Sequence, residues 1–265
     1  MSEARKMKNL PYLRNFDLTG QVALVTGSAR GLGFCIARAL AGCGARVLIN
    51  GRNADAVNAA VAELTAAGLD AHPLPFDVTD DAAMAAAFER IDSEHARLDI
   101  LVNNVGARNR KTLQDTSPAE IRELIDTDLV AGMLLAKFAA ERMMRQGGGR
   151  LIAITSVVGE LARAGDAVYP AAKQGLTGMV RALAAEFGGH YITSNAIAPG
   201  TFATETNAEM VADPQFGPRV AARNPTGRWG EPEEIAGAAV FLASPAASYV
   251  NGHVLVVDGG LSIQF

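Results

Sequence analysis

From Gln21 onward, short apolar runs alternate with longer segments of helical period, and this alternation restricts the chain to very few architectures. The runs are Val22–Val25, Val47–Ile49, Ala71–Phe76, Ile100–Val102, Leu151–Thr155, Ile192–Ile197 and Val254–Val257. They are continuous rather than alternating in polarity, as strands buried on both faces must be. Between them lie Leu32–Cys43, Ala54–Ala67, Asp80–Ala96, Pro118–Arg145, Ala167–Phe187 and Pro232–Ala243, rich in Ala, Leu, Glu and Arg. Repeated strand, helix, strand order predicts an α/β fold with a doubly wound, seven-stranded parallel sheet, helices on both faces and right-handed crossovers.

Such a fold accommodates all 265 residues in one domain, expected over residues 17–265 after a polar extension at residues 1–16. Local signals support the helices: Asp80 is placed to cap one, and Thr116 or Ser117 ahead of Pro118 and Glu120 to start another. The stretch 199–231, with Pro199, Gly200, Pro214, Pro218, Pro225 and Gly230, is the one long interruption, expected to form a substrate lid near 200–230. A net charge of −4 with no basic stretch argues against a nucleic-acid partner. No run approaches the ~20 apolar residues of a membrane span. Cys35 and Cys43, eight residues apart on one helix, are about 12 Å apart and too far for a disulfide, which points to a reducing cytoplasm. His72, His95, His190 and His253 are scattered without ligand spacing, so no metal site is expected.

Chemistry concentrates where strands end. Gly27, Ser28, Arg30, Gly31, Leu32 and Gly33 fall between the first run and the first helix, where glycines let a backbone approach a pyrophosphate at a helix N-terminus. The spacing, G-x3-G-x-G, differs from the commonest dinucleotide fingerprint and is by itself also compatible with a plain tight turn. The second run ends in Asn50-Gly51-Arg52, which offers no carboxylate for an adenosine ribose. Arg52 and Arg30 are either solvated loop charges or a fork for a 2′-phosphate, and the second reading predicts NADP(H) as preferred cofactor, with NAD(H) also possible.

Tyr169 and Lys173, four residues apart, share one helix face, and Ser156 ends the fifth run on the edge where such sheets bind ligands. Bringing a tyrosine from ~10 toward ~7 requires about 4 kcal/mol of phenolate stabilisation, which an adjacent cation can provide. A Y-x-x-x-K spacing alone is common in helices; Ser156 is what gives it meaning.

From Asp17 to its end the chain resembles the short-chain dehydrogenase/reductase family, with a Rossmann-type sheet. The shared motifs are the glycine turn, Asp77-Val78, Asn103-Asn104-Val105-Gly106, Ser156 with Tyr169 and Lys173, and Pro199-Gly200 with Thr204. The resemblance implies an NAD(P)-dependent dimer or tetramer that moves a hydride between nicotinamide and an alcohol or carbonyl carbon; a homotetramer is expected. It implies Tyr169 as acid or base, Ser156 as the group that orients the substrate oxygen, and Lys173 as the residue that lowers the tyrosine and holds the ribose. Asp77 and Val78 would meet adenine, Asn103, Asn104 and Gly106 would line the cleft, and Pro199, Gly200 and Thr204 would hold carboxamide and phosphates. Where the family has an asparagine in the proton relay, this chain has Asp128, which cannot donate an amide N–H and adds a charge. Asp128 is either a tolerated variant or a residue that tunes the relay.

The C-terminal stretch Arg228-Trp229-Gly230-Glu231-Pro232 through Val250-Asn251-Gly252-His253 is similar to that of family members that oxidise gluconate. Arg108-Asn109-Arg110-Lys111, directly after Gly106, is either a set of solvated charges or a grip for the carboxylate of a sugar acid, with Arg110 or Arg108 in contact. The alternatives are reduction of a 3-oxoacyl thioester or another ketone, and a cofactor-binding protein without turnover, to which only Asp128 points.

Overall fold

In the computed structural model, which describes residues 12–161 and 164–263, seven strands form one parallel sheet. They are β1 (Val22–Val25), β2 (Arg46–Ile49), β3 (Ala71–Pro73), β4 (Ile100–Asn103), β5 (Gly149–Ile154), β6 (Ile192–Pro199) and β7 (Val254–Val257). Their spatial order is 3-2-1-4-5-6-7, so the direction of winding reverses between β1 and β4. A dinucleotide lies over such a reversal in folds of this kind.

Alternate residues along each strand feed opposite cores, as the two-residue period of a pleated strand requires. Ala23, Val25, Val47, Ile49, Ile100 and Val102 pack with α1 (Gly31–Gly42) and α2 (Ala54–Ala66). Val22, Leu24, Leu48 and Leu101 pack with α3 (Asp81–His95) and, beyond α4 (Pro118–Ile125), with α5 (Ala131–Gln146). A smaller cluster joins Ala153 and Ala196 to Leu176 and Val180 of α6 (Val168–Phe187). Asp80 caps α3 by accepting from the Ala83 N–H at 3.0 Å, and Ser117 with Glu120 closes a reciprocal capping box on α4.

Several boundaries differ from expectation. The third strand stops at Pro73 instead of Phe76, because beyond it the carbonyls of Leu74 and Phe76 accept from the Asn50 side-chain amide. The expected continuous helix Pro118–Arg145 is interrupted by a π-helical turn, Asp126–Val130. Pro232–Ile235 is a 3-10 turn ahead of a shorter helix, and the segment 199–231 carries two short helices, α7 (Ala208–Ala212) and α8 (Phe216–Ala221). That segment returns on itself, since the Gly230 N–H donates to Thr201 O and the Ala203 N–H donates to Gly230 O. The final long helix is α9 (Ala236–Ala243). Of the expected N-terminal extension, residues 1–11 lie outside the described residues; Leu13–Phe16 form a 3-10 turn and Leu18 is already in the core. Among the described residues no helix is long and apolar enough to cross a membrane.

Phe88 of α3 is fully buried, stacked on Phe138 at 5.2 Å between centroids, with the Arg142 guanidinium 4.9 Å above it. Phe88→Ala is expected to lower unfolding free energy by about 3–5 kcal/mol, measured by urea denaturation.

Candidate active site

The turn after β1 is held open by its neighbours. Gly27 and Gly31 both adopt φ of +59°, a left-handed conformation that costs glycine nothing. Gly33 is needed for another reason: a Cβ there would lie 2.5 Å from both Asn104 Nδ2 and Gly27 O. Asn104 Nδ2 donates to the carbonyls of Thr26 and Gly27, and the Asn104 N–H donates to Thr26 Oγ1, so the β1 and β4 loops are tied together. Arg30 starts α1 without a side-chain cap, which leaves the first N–H groups of the helix facing the turn. Ser28 and Asn50, both expected at the cofactor, are buried beside the glycine turn, where Asn50 Oδ1 accepts from the Gly27 N–H at 3.3 Å. Asn50 N–H donates to Ser28 Oγ, and Ser28 Oγ donates to Val25 O at 2.6 Å. Buried polar side chains need internal partners, and these two have found them in building the turn.

Arg52 stands exposed at the end of β2, its guanidinium 3.9 Å from Asp77. Burial acts to raise the Asp77 carboxyl, but hydrogen bonds from Thr79 and the nearby Arg52 outweigh it and hold the group low. Val78 is buried in the α3 core and Leu32 packs partly against the opposite core. Pro199 ends β6, Gly200 lies where a Cβ would meet Asp258 Cα at 2.7 Å, and Thr204 precedes the turn Glu205–Asn207 of the lid segment. An uncapped helix start, glycines that leave room above it and two exposed arginines at the sheet reversal fit a phosphorylated dinucleotide.

Ser156, Tyr169, Lys173 and Asp128 converge from three elements. Ser156 follows β5, its Oγ accepting from the Val158 N–H at 3.3 Å, and its hydroxyl acts to lower the Tyr169 phenol. Tyr169 sits in the first turn of α6, and Lys173 one turn later places its Nζ 5.6 Å from the tyrosine ring centroid. Lys173 is buried and donates to Ile154 O at 3.2 Å. Asp128 lies in the π-turn, also buried; its Oδ1 accepts from the Ala107 N–H at 2.6 Å and its Oδ2 faces Lys173 Nζ at 3.9 Å. Gly106 passes so close that a Cβ there would sit 2.8 Å from Lys173 Nζ.

Burial pushes the Tyr169 phenol up, against the Arg108 charge and the nearby Ser156 hydroxyl, while Asp128 and Asp166 add to the rise. Burial also pushes Lys173 down, with Asp128 opposing, and pushes Asp128 up, with Lys173 and the Ala107 N–H opposing. Arg108 is thus a cation that favours the phenolate, in addition to Lys173, to which the resemblance gives that role. The Arg108 side chain is committed: its Nε donates to Asp166 Oδ2 at 2.5 Å, and its Cζ lies 4.9 Å over the Tyr169 ring. Arg110 is exposed in the same loop with φ of +51°, a strained value for arginine. Lys111 pairs with Glu120 of the α4 capping box. Asp166 was missing from the expected site; its only sequence signal is a carboxylate three residues before Tyr169.

Residues 27–262 match the family model adh_short_C2, described as enoyl-(acyl carrier protein) reductase. The chain belongs to the short-chain dehydrogenase/reductase family of NAD(P)-dependent oxidoreductases acting on CH–OH groups. It is 42% identical over 249 residues to gluconate 5-dehydrogenase of Gluconobacter oxydans (strain 621H), covering 94% of this chain and 97% of that one. It is 39% identical over 247 residues to the 3-oxoacyl-(acyl-carrier-protein) reductase FabG of Escherichia coli (strain K12), covering 93% and 98%. A gluconate 5-dehydrogenase from Burkholderia cenocepacia J2315, solved in complex with NADP and tartrate, superposes with a TM-score of 0.92 at 38% identity, covering 96% of this chain and all of that one.

Gly33→Ala is expected to weaken NADPH binding at least about tenfold, read by fluorescence titration, because the added methyl displaces the Asn104 tie; a loss of ~1.4 kcal/mol gives that factor.

Proposed function

We propose that this chain interconverts D-gluconate and 5-keto-D-gluconate, or a closely related sugar acid, with NADP(H). The observation that carries the substrate is the 42% identity across 94% of the chain with the Gluconobacter enzyme. The basic loop Arg108 to Lys111 beside the Ser156, Tyr169, Lys173 group supports it, since a sugar acid needs a cation for its carboxylate. Arg110, exposed in that loop, is the residue we assign to that carboxylate, and its strained backbone is consistent with a held position.

In this reading Gly27, Gly31, Gly33 and the start of α1 hold the pyrophosphate, Arg30 and Arg52 the 2′-phosphate, Asp77 the adenine side, and Asn104, Gly106 and Thr204 the rest of the cleft. NADP bound there supplies the hydride acceptor or donor. Ser156 hydrogen-bonds the substrate oxygen and fixes it beside the Tyr169 hydroxyl. Tyr169 as phenolate takes the proton of the substrate hydroxyl during oxidation, and as phenol returns it to the carbonyl oxygen during reduction. Lys173, tethered to Ile154 O, presents positive charge to the tyrosine side of the cleft, and Asp128 sets how much of that charge is felt.

Residues 17–265 form the single catalytic domain in this proposal, with 199–231 as its substrate lid. Exposed Val130 and Met133 near the start of α5, with Val256 on β7, support assembly into a homotetramer. Free thiols at Cys35 and Cys43 suit a reducing cytoplasm. The FabG likeness favours a second reading, reduction of a 3-oxoacyl thioester. A panel of gluconate, related sugar acids, neutral polyols and 3-oxoacyl thioesters, each with NADP(H) and NAD(H), decides between them; turnover of thioesters alone overturns the sugar-acid reading.

Tyr169→Phe is expected to cut kcat roughly 100- to 10,000-fold while NADPH still binds, checked by steady-state kinetics and fluorescence. Arg110→Ala should raise KM for gluconate about tenfold or more and leave neutral substrates unchanged, since a hydrogen bond to a charged group contributes about 1.5–3 kcal/mol.

A further inference from the structure

We propose that Arg108, gripped by Asp166, is a positioning residue that keeps a fixed positive charge on the ring face of Tyr169 and so stabilises the phenolate that takes the substrate proton. The inference rests on the reading of Tyr169 as the acid and base of the reaction.

Two loops build the device. Arg108 comes from the loop after β4, and Asp166 from the segment just before α6. Asp166 is only 4% exposed, so its carboxylate needs a buried partner, and both Nε and Nη2 of Arg108 meet its Oδ2. This grip orients the guanidinium over the aromatic ring, with Cζ 4.9 Å from the centroid, closer than Lys173 Nζ at 5.6 Å. A cation over a ring face is attracted to the π-electrons, and more so when the phenol is ionised.

Asp128 explains why a second cation is useful. In place of a neutral amide it puts a carboxylate 3.9 Å from Lys173, and the two opposite charges partly cancel where the tyrosine feels them. The charged groups that face Tyr169 are Arg108 and Asp166 from the loops and Asp128 and Lys173 from the helices, with the Ser156 hydroxyl beside them. Of Arg108, Asp128 and Asp166, Arg108 acts most strongly, and it alone of these three favours the phenolate. Arg108 therefore restores a field that Asp128 takes from Lys173.

The test is the pH profile of kcat/KM for NADP-dependent oxidation, measured with gluconate and with a neutral polyol turned over in the panel. For Arg108→Met the acidic limb is expected to move about one unit upward, with kcat/KM roughly tenfold lower below it, for both substrates. Arg108→Lys should keep the limb within a few tenths of a unit, and adding Asp128→Asn to Arg108→Met should bring it back down. A tyrosinate absorbance titration, taken as the difference between each protein and its Tyr169→Phe counterpart, reads the same group without turnover. If limb and titration in Arg108→Met coincide with those of the parent protein, the inference is overturned. A change confined to KM for gluconate also overturns it, leaving Arg108 a carboxylate contact. Activity retained in Tyr169→Phe instead removes the reading of Tyr169 itself.

Discussion

The polar tie between the first and fourth strands is the constraint on which the rest of the structure depends. A parallel sheet that reverses its winding must send neighbouring loops to opposite faces, and that opens a crevice lined by backbone polar groups. Here Thr26 Oγ1 receives the N–H of Asn104, and the Asn104 amide answers with bonds to the carbonyls of Thr26 and Gly27. The bonds satisfy groups that would otherwise be buried unpaired, and they press Asn104 against Gly33 so tightly that no side chain fits there. One contact therefore shapes the turn, fixes the start of α1 and sets where the β4 loop leaves the sheet.

That loop then delivers the next layer. Gly106 passes over Lys173, the Ala107 N–H reaches Asp128, and Arg108 reaches Asp166 and the face of Tyr169, in three consecutive residues. The outcome is a row of alternating charge, Asp166, Arg108, the tyrosine, Lys173 and Asp128, mostly screened from water. In such surroundings each charge acts more strongly than on the surface, and removing one leaves its neighbour exposed to the full cost of burial. The π-turn at Asp126–Val130 belongs to this arrangement, because Asp128 lies within it, buried against Lys173. Single π-turns inside α-helices are frequent at functional positions.

Much of the fold was readable in the sequence because its cause is local and periodic. Continuous apolar runs such as Val22–Val25 and Val254–Val257 mark strands to the residue, and Asp80 and Ser117 cap where their side-chain chemistry directs. Among the candidate site residues, the glycines and the Ser156, Tyr169, Lys173 spacing stand out in the sequence, since each needs a particular residue type. Ser28 and Asn50 show what the sequence leaves hidden: the Asn50 side chain donates to Leu74 O and Phe76 O, and Ser28 Oγ donates to Val25 O while accepting from the Asn50 N–H. The early end of β3 was equally hidden, because it follows from an amide 24 residues upstream competing for Leu74 O.

By itself, the sequence determined the alternation, hence the parallel sheet, the position of the glycine turn at its reversal, and the residue types available for proton transfer. Periodicity and spacing are properties of neighbouring residues, and they survive without knowledge of the packing. Only the tertiary structure decided that Arg108 stands over Tyr169 together with Lys173. Asp166 and Arg108 are 58 residues apart, and Lys173 meets Asp128 only because a π-turn buries that carboxylate opposite α6. Burial and field strength depend on everything that surrounds a group in space, so the balance of charge at the tyrosine is set by the folded chain alone.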